Sequence, residues 1–278
     1  MFIKIGDREL APTTLICARL ALGALTILPV ALARVGSARV LRELRAHWRS
    51  LFVLGVVNSA VPITALAWAE KHIDSGLGAV LQAASPLFTA LLAIWISHSD
   101  RVFGLRLVGL FVGFGGVALL VGAQPAGDVV AAAAVVGSAF CYALASLFAA
   151  RALRAVPPLV VALGSLTWAA VALAPFAIVQ APASFPSAGV VAALLALSLG
   201  GTGVAYVLFY ELIAGAGASY ALLVTYLTPA MALAYGAAFL HEPVPASALA
   251  GLALIFIGVA LGTGTVRLPR RAAVGEVP

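Results

Sequence analysis

Long apolar runs separated by short polar breaks occupy nearly the whole chain. Each run is about as long as the ~20 residues a helix needs to cross ~30 Å of hydrocarbon, and too long for the roughly 10-residue alternating strands of a membrane barrel. The pattern predicts nine helical spans near 12–34, 48–70, 76–97, 103–122, 128–150, 158–180, 188–212, 218–240 and 246–265. Clear breaks fall at Lys71 to Ser75, Gln124 to Asp128, Arg154 to Pro158, and His241 to Pro243. The break at Ala214 to Gly217 carries no charge, but one helix of about 50 residues would far exceed the membrane, so a tight turn is expected there.

The runs also repeat. Ala84 to Asp100, ASPLFTALLAIWISHSD, recurs 143 positions later as LTPAMALAYGAAFLHEP, bringing Pro86 onto Pro229. Four spans in the first copy face five in the second. An odd number of spans reverses a repeat's direction in the membrane, which four spans alone cannot do. At a spacing of 146, Pro12 corresponds to Pro158 and Pro29 to Pro175, which sets Phe2 opposite Phe148 and Arg8 opposite Arg154. The opening residues, MFIKIG, therefore read as the last turns of a helix whose beginning is absent. They match a cleavable signal poorly, because MFIKIGDREL balances two bases with two acids and Arg19 interrupts the apolar stretch that follows.

Composition agrees with the bilayer as solvent: 63% of residues are hydrophobic and 9% charged, with a mean hydropathy of +1.13. The charge sets orientation. With nine alternating spans, Arg34, Arg39, Arg42, Arg45, Arg49, Arg101, Arg106, Arg151, Arg154, Arg267, Arg270 and Arg271 fall on one side. Lys4, Arg8 and Lys71 fall on the other. The positive-inside bias then predicts a cytoplasmic carboxyl end and an outside amino end in a bacterial inner membrane. The net charge of +6 is read as contact with anionic lipid headgroups, with no nucleic-acid partner. RVLRELRAHWR can form an amphipathic helix on the membrane surface. Cys17 and Cys141 lie inside spans as small apolar residues, so no disulfide, metal or cofactor is expected.

Several stretches carry a family resemblance. Ala18-Arg19-Leu20 matches an arginine early in a helix, Pro86-Leu87-Phe88-Thr89-Ala90-Leu91-Leu92 matches a P-L/V-F-x-A-L-L run, and the second copy carries Pro229 and closes with Glu242-Pro243. The chain resembles EamA-type transporters of the drug/metabolite transporter superfamily, over essentially its whole length but without the family's first helix. In the first copy Ser99 stands where the family has glutamate, with Asp100 beside it. The resemblance implies an all-α polytopic membrane protein with two inverted helical repeats and a parent architecture of ten spans. The first repeat would occupy 1–122, the second 128–265, and a cytoplasmic tail 266–278.

Candidate path residues follow from polar positions within the spans. Ser138, Tyr142 and Ser146 recur every four residues, as do Thr202, Tyr206 and Tyr210; Gln82 and Ser85 share a face; Asn58, Trp68, Thr225 and Thr228 extend the set. Each can equally satisfy a backbone carbonyl or pack between helices, but together they lie on spans that line the path in the resembled family. Pro86 and Pro229 remove a backbone donor within a span, which permits a kink or an exposed carbonyl. Arg19, Glu70 and Glu211 are expensive charges in or at the ends of spans, open to interfacial, gating or proton-coupling roles. Gly109, Gly113 and Gly116, with Gly251, Gly258 and Gly262, form small-residue faces on the last helix of each repeat; the options are support within the chain or a homodimer contact.

No nucleotide loop, paired-histidine set or serine–histidine–acid set appears, so no enzyme activity is expected. The leading expectation is efflux of a small metabolite, such as an amino acid or related amphipathic compound, by alternating access. The expected partners are that substrate and membrane lipid, with proton coupling as an option and a monomer or weak homodimer as the assembly. The alternative is a truncated or non-transporting membrane protein with a structural or partner-binding role.

Overall fold

The computed structural model describes residues 2–96, 105–122, 128–208 and 218–262, and among these there is no strand. Helix α1 covers Phe2–Gly6, α2 Pro12–Val35, α3 Ser37–Ala46 and α4 Trp48–Ala69. They are followed by α5 Ser75–Gln82, α6 Ser85–Ile96, α7 Leu105–Gly122, α8 Val129–Ala152 and α9 Pro158–Val179. The chain continues through α10 Ala188–Leu208, α11 Ala218–Leu240 and α12 Ala246–Gly262. Each of the nine expected spans is helical over its described part, the third being divided into α5 and α6. Among the described residues, six segments are long and apolar enough to cross a membrane: α2, α4, Ser75–Leu92, α8, α9 and α10. Shorter apolar helices cover Leu107–Leu120 and Ala246–Leu261.

Local chemistry explains where these helices start and bend. Pro12 and Pro158 both open their helices at the first turn, where a missing N–H removes no helical bond. The helix breaks at Ala83-Ala84, in the turn where Pro86 has no N–H to donate to the Gln82 carbonyl. Pro229 lies inside α11, which runs through it without interruption. Its ring removes the bond to the carbonyl of residue 225, and the neighbouring turns hold the helix together across that loss. The surface helix α3 is short; Arg39, Arg42 and His47 surround Glu43, and Val40 is its buried side chain.

Two long helices widen at matching places. Val56–Ala60 of α4 and Ala196–Val204 of α10 are π-helical. The 143-residue offset carries the first stretch into the second, so both repeats place the widened turn at the same point. Close crossings occur beside each one. A Cβ on Gly55 would lie 2.4 Å from the Ser165 carbonyl oxygen, on α9, while one on Gly203 would collide with Thr26 of α2. Side chains cannot separate the backbones at these crossings.

The bundle contains two apolar cores. One joins α2, α4, α9 and the first part of α10 through residues such as Leu15, Ile16, Leu51 and Leu166. The other joins α5, α6, α7 and α12 through Val80, Leu81, Leu87, Leu120 and Ile255. Helix α8 serves both, with Val135 in the second core and Ala145 in the first. Outward positions are apolar too: Phe111 is 73% exposed and Ile178 75%. Water would penalise such a surface, whereas hydrocarbon suits it, so the fold is that of a polytopic membrane protein.

The small-residue faces of α7 and α12 meet each other. A Cβ on Gly258 would lie 2.4 Å from Gly113 Cα and 2.7 Å from the Gly109 carbonyl oxygen, and one on Gly116 would lie 3.0 Å from the Gly251 carbonyl oxygen. This intramolecular contact occupies the glycine face that had also been open to a homodimer. Close backbone approach gives these helices their packing, since burial of apolar area supplies little drive between helices in lipid.

Candidate functional site

Polar groups gather around the middle of the long helices, beside the π-helical turns. Asn58 lies near the midpoint of α4, Tyr142 near that of α8, and Thr202 within the widened part of α10. Arg19 enters from α2. Its Nε–H donates to Thr202 Oγ at 3.0 Å, and the Thr202 hydroxyl donates in turn to the Leu197 carbonyl oxygen at 3.1 Å. The hydroxyl proton is committed to that carbonyl, which leaves the Thr202 lone pairs available to the guanidinium.

Tyr142, Tyr206 and Glu70 are within electrostatic reach of Arg19, and Asn58 hydrogen-bonds to Tyr206. Arg19 is surrounded by protein yet, like Asn58, Tyr142 and Tyr206, keeps partial accessibility. These polar groups therefore sit part-buried along the inner faces of α2, α4, α8 and α10. Gly23 is needed beside them, because a Cβ there would come within 2.8 Å of the Thr202 methyl group.

A second polar bridge ties α4, α5 and α8. Ser138 is 2% exposed and donates to the Pro62 carbonyl oxygen at 3.0 Å, while Gln82 Nε2 donates to Ser138 Oγ at 3.4 Å. The carbonyl of residue 62 is accessible to this hydroxyl beside the widened turn of α4. Gln82 Oε1 is buried without a hydrogen-bond partner among the described residues.

At the end of the bundle away from the Arg34–Arg49 cluster lies a cavity of about 480 Å³ lined by Asp7, Arg8, Glu70, Lys71, Asp74, His241, Glu242 and Pro243. Glu70 follows the last turn of α4 and is 7% exposed, so it belongs to this vestibule while also facing Arg19 electrostatically. Burial pushes the Asp7 carboxyl up to about 6 from 3.8, against the opposing pull of Lys71. Both Asp7 carboxylate oxygens are buried without a hydrogen-bond partner among the described residues. The Glu242 carboxylate accepts the Ser75 and Gly76 amides and the Ser75 hydroxyl. Nearby, Glu9 accepts the Ser187 amide and hydroxyl at 2.7 and 2.6 Å, and these bonds hold its carboxyl below the usual range.

The remaining sequence candidates scatter. Trp68 is exposed at the end of α4, its ring 4.8 Å from that of His72. Ser146 is exposed and donates to the Ala143 carbonyl oxygen, while Ser85 begins α6. Pro86 is partly buried, Pro229 is buried and Thr228 is exposed. Thr225 falls in α11 with its side chain outside the described residues, and Tyr210 and Glu211 lie outside them altogether. The sequence reading missed Asp7, Asp74 and His241 as vestibule residues and Ser75 as the partner of Glu242. Asp74-Ser75 before an apolar run is a helix-start signal, but a partner 167 positions away leaves no local mark.

The chain is similar in sequence to two proteins named as transporters and in fold to a solved structure. A protein named Uncharacterized transporter YvbV from Bacillus subtilis (strain 168) is 25% identical over 266 residues, covering 92% of this chain and 84% of its own. A protein named Uncharacterized transporter from Archaeoglobus fulgidus is 25% identical over 223 residues, covering 77% and 78%. A crystal structure titled only as that of a protein matches with a TM-score of 0.65 and 21% identity over 93% of this chain and 89% of that one, which is a likeness of fold. The EamA-like transporter family matches residues 1–122 and 129–263, one stretch per repeat, and the chain belongs to that family.

Proposed function

We propose that this protein exports a small metabolite, such as an amino acid or related amphipathic compound, across a bacterial inner membrane by alternating access. The observation that carries this reading is the Arg19–Thr202 hydrogen bond among part-buried polar side chains within the spans, which this reading takes as the wall of a transport crevice. A charge so far inside a span is costly, and a carrier gives it a use. Asn58, Tyr142 and Tyr206 add polar tips and aromatic surface suited to an amphipathic compound. Matching widened turns in the two repeats supply a pair of related hinge points.

In this reading the arginine-rich end faces the cytoplasm, the vestibule opens on the opposite side, and the two repeats move against each other around Arg19. Glu70 connects the vestibule to the crevice and is the coupling candidate on that side; Glu211 is the candidate toward the cytoplasm. A Glu211→Gln variant that retained the full pH dependence of flux would remove Glu211 from that role.

Reconstitution of the full chain into sealed vesicles tests the proposal directly. A panel of radiolabelled amino acids and related amphipathic metabolites should include at least one whose flux exceeds that of protein-free vesicles and falls at least tenfold in Arg19→Ala. A well-folded protein that moves no member of the panel counts against transport.

A further inference from the structure

The charge at the crevice identifies a feature of what is carried. Arg19 lies seven residues, or about 10 Å, into α2. Thr202 engages its Nε edge at 3.0 Å. Among the described residues that is the one hydrogen bond of this side chain, and a guanidinium has four further N–H donors on its two terminal nitrogens. Two of these lie parallel and match the oxygens of a carboxylate, while the neighbouring Nε–H is already fixed by Thr202. Tyr142 and Tyr206 are near enough to act electrostatically on the same charge, and Asn58 hydrogen-bonds to Tyr206.

We infer that Arg19 is the anion-recognising group of the crevice and that the transported compound presents a single carboxylate to it. This rests on the transport reading above. One guanidinium, already partly offset by Glu70, can balance no more than one further negative charge. A dianion such as a phosphate monoester would leave uncompensated charge in a region where the bilayer provides no water to screen it. Thr202 acts as a positioning residue: its hydroxyl is directed by the Leu197 carbonyl, and it sets the angle at which Arg19 offers its remaining donors. Glu70, on the vestibule side, helps balance the guanidinium before an anion arrives.

The test uses the purified full chain in lipid nanodiscs and follows thermal unfolding by intrinsic fluorescence with three probes. L-phenylalanine and 3-phenylpropionate carry a carboxylate; L-phenylalaninamide replaces it with an amide. Both acids should raise the unfolding midpoint and the amide should not. Their apparent affinity should fall at least tenfold in Arg19→Gln, while Arg19→Lys should retain part of it as a point charge. Thr202→Val should weaken the acids several-fold with the charge still present, so it tests the assignment even if Arg19→Gln does not fold. Equal stabilisation by acid and amide, unchanged acid affinity in Arg19→Gln and Thr202→Val, or no stabilisation by either acid overturns the inference. Flux of the same compounds in vesicles separates the two readings. Acids that bind through Arg19 without crossing remove the transport reading alone, whereas acids that cross equally well in Arg19→Gln remove only the anion site.

Discussion

The Glu242 carboxylate accepts the Ser75 hydroxyl at 2.7 Å and the Ser75 amide at 3.2 Å, joining the end of α11 to the first turn of α5 across 167 positions. A helix start leaves N–H groups without intrahelical acceptors and carries partial positive charge. Asp74 occupies the N-cap position of α5 but makes no side-chain capping bond. Glu242 takes that place from the other repeat, also accepting the Gly76 amide at 3.3 Å. Gly236 makes room for it, since a Cβ there would lie 2.6 Å from Glu242 Oε2. Glu242→Ala is therefore expected to lower stability by about 1–3 kcal/mol, and Glu242→Gln by less because an acceptor oxygen remains. Thermal unfolding in nanodiscs checks the order, and equal midpoints for wild type and Glu242→Ala would show that the cap contributes nothing.

Two glycine substitutions should separate close packing from helix propensity. A Cβ at Gly55 meets the Ser165 carbonyl oxygen at 2.4 Å and the Ala169 amide nitrogen at 3.0 Å, both unable to rotate away. Gly55→Ala should cost about 1–3 kcal/mol through overpacking at the α4–α9 crossing. At Gly115 nothing among the described residues lies within 4 Å of the added carbon, so Gly115→Ala should be neutral or stabilise by up to about 1 kcal/mol through helix propensity. Parallel melting curves decide; similar losses at both positions would refute the packing argument.

Ser138→Ala should cost about 1 kcal/mol, because it removes the donor to the Pro62 carbonyl and the acceptor of Gln82 Nε2 from a buried position. The double variant Ser138→Ala/Gln82→Leu should lose less than the sum of the single losses, since both substitutions break one bridge. Additive losses in a double-mutant cycle would indicate that the two residues act independently.

Asp7 should make stability fall as pH rises. Its carboxyl is pushed up to about 6 in the folded protein from 3.8, so the folded state binds the proton more tightly than the unfolded chain. The favourable contribution is complete below about pH 4, declines between pH 4 and 6, and is gone above that. Asp7→Asn should remove this slope and stabilise the protein at pH 7 by about 1 kcal/mol, after allowance for solvent screening of a half-exposed group. Unfolding midpoints of both proteins from pH 4 to 8 would show parallel curves if Asp7 were not responsible.

The sequence singled out residues that are costly in an apolar run. Arg19, Asn58 and Tyr142 carry charge or hydrogen-bonding groups, which are rare within spans, and all three are part-buried in long helices of the bundle. Periodicity was a poorer guide. Ser138, Tyr142 and Ser146 share a four-residue spacing, yet Ser138 is buried in the bridge and Ser146 is exposed. A helix face specifies direction from the axis, while the neighbours of each turn change along a tilted helix. The paired prolines diverged for a related reason: Pro86 follows a broken turn, whereas α11 continues through Pro229.

The sequence alone determined the solvent, the helices and the repeat, because those depend on local apolar length and on a pattern copied within the chain. It also marked Arg19 as unusual, since a charge in a span is costly whatever surrounds it. Only the tertiary structure decided that Arg19 meets Thr202 from 183 positions away, that Glu242 caps the helix beginning at Ser75, and that the α7 and α12 glycines face each other. Hydrogen bonds and backbone contacts act over about 3 Å, and folding determines which distant residues come that close.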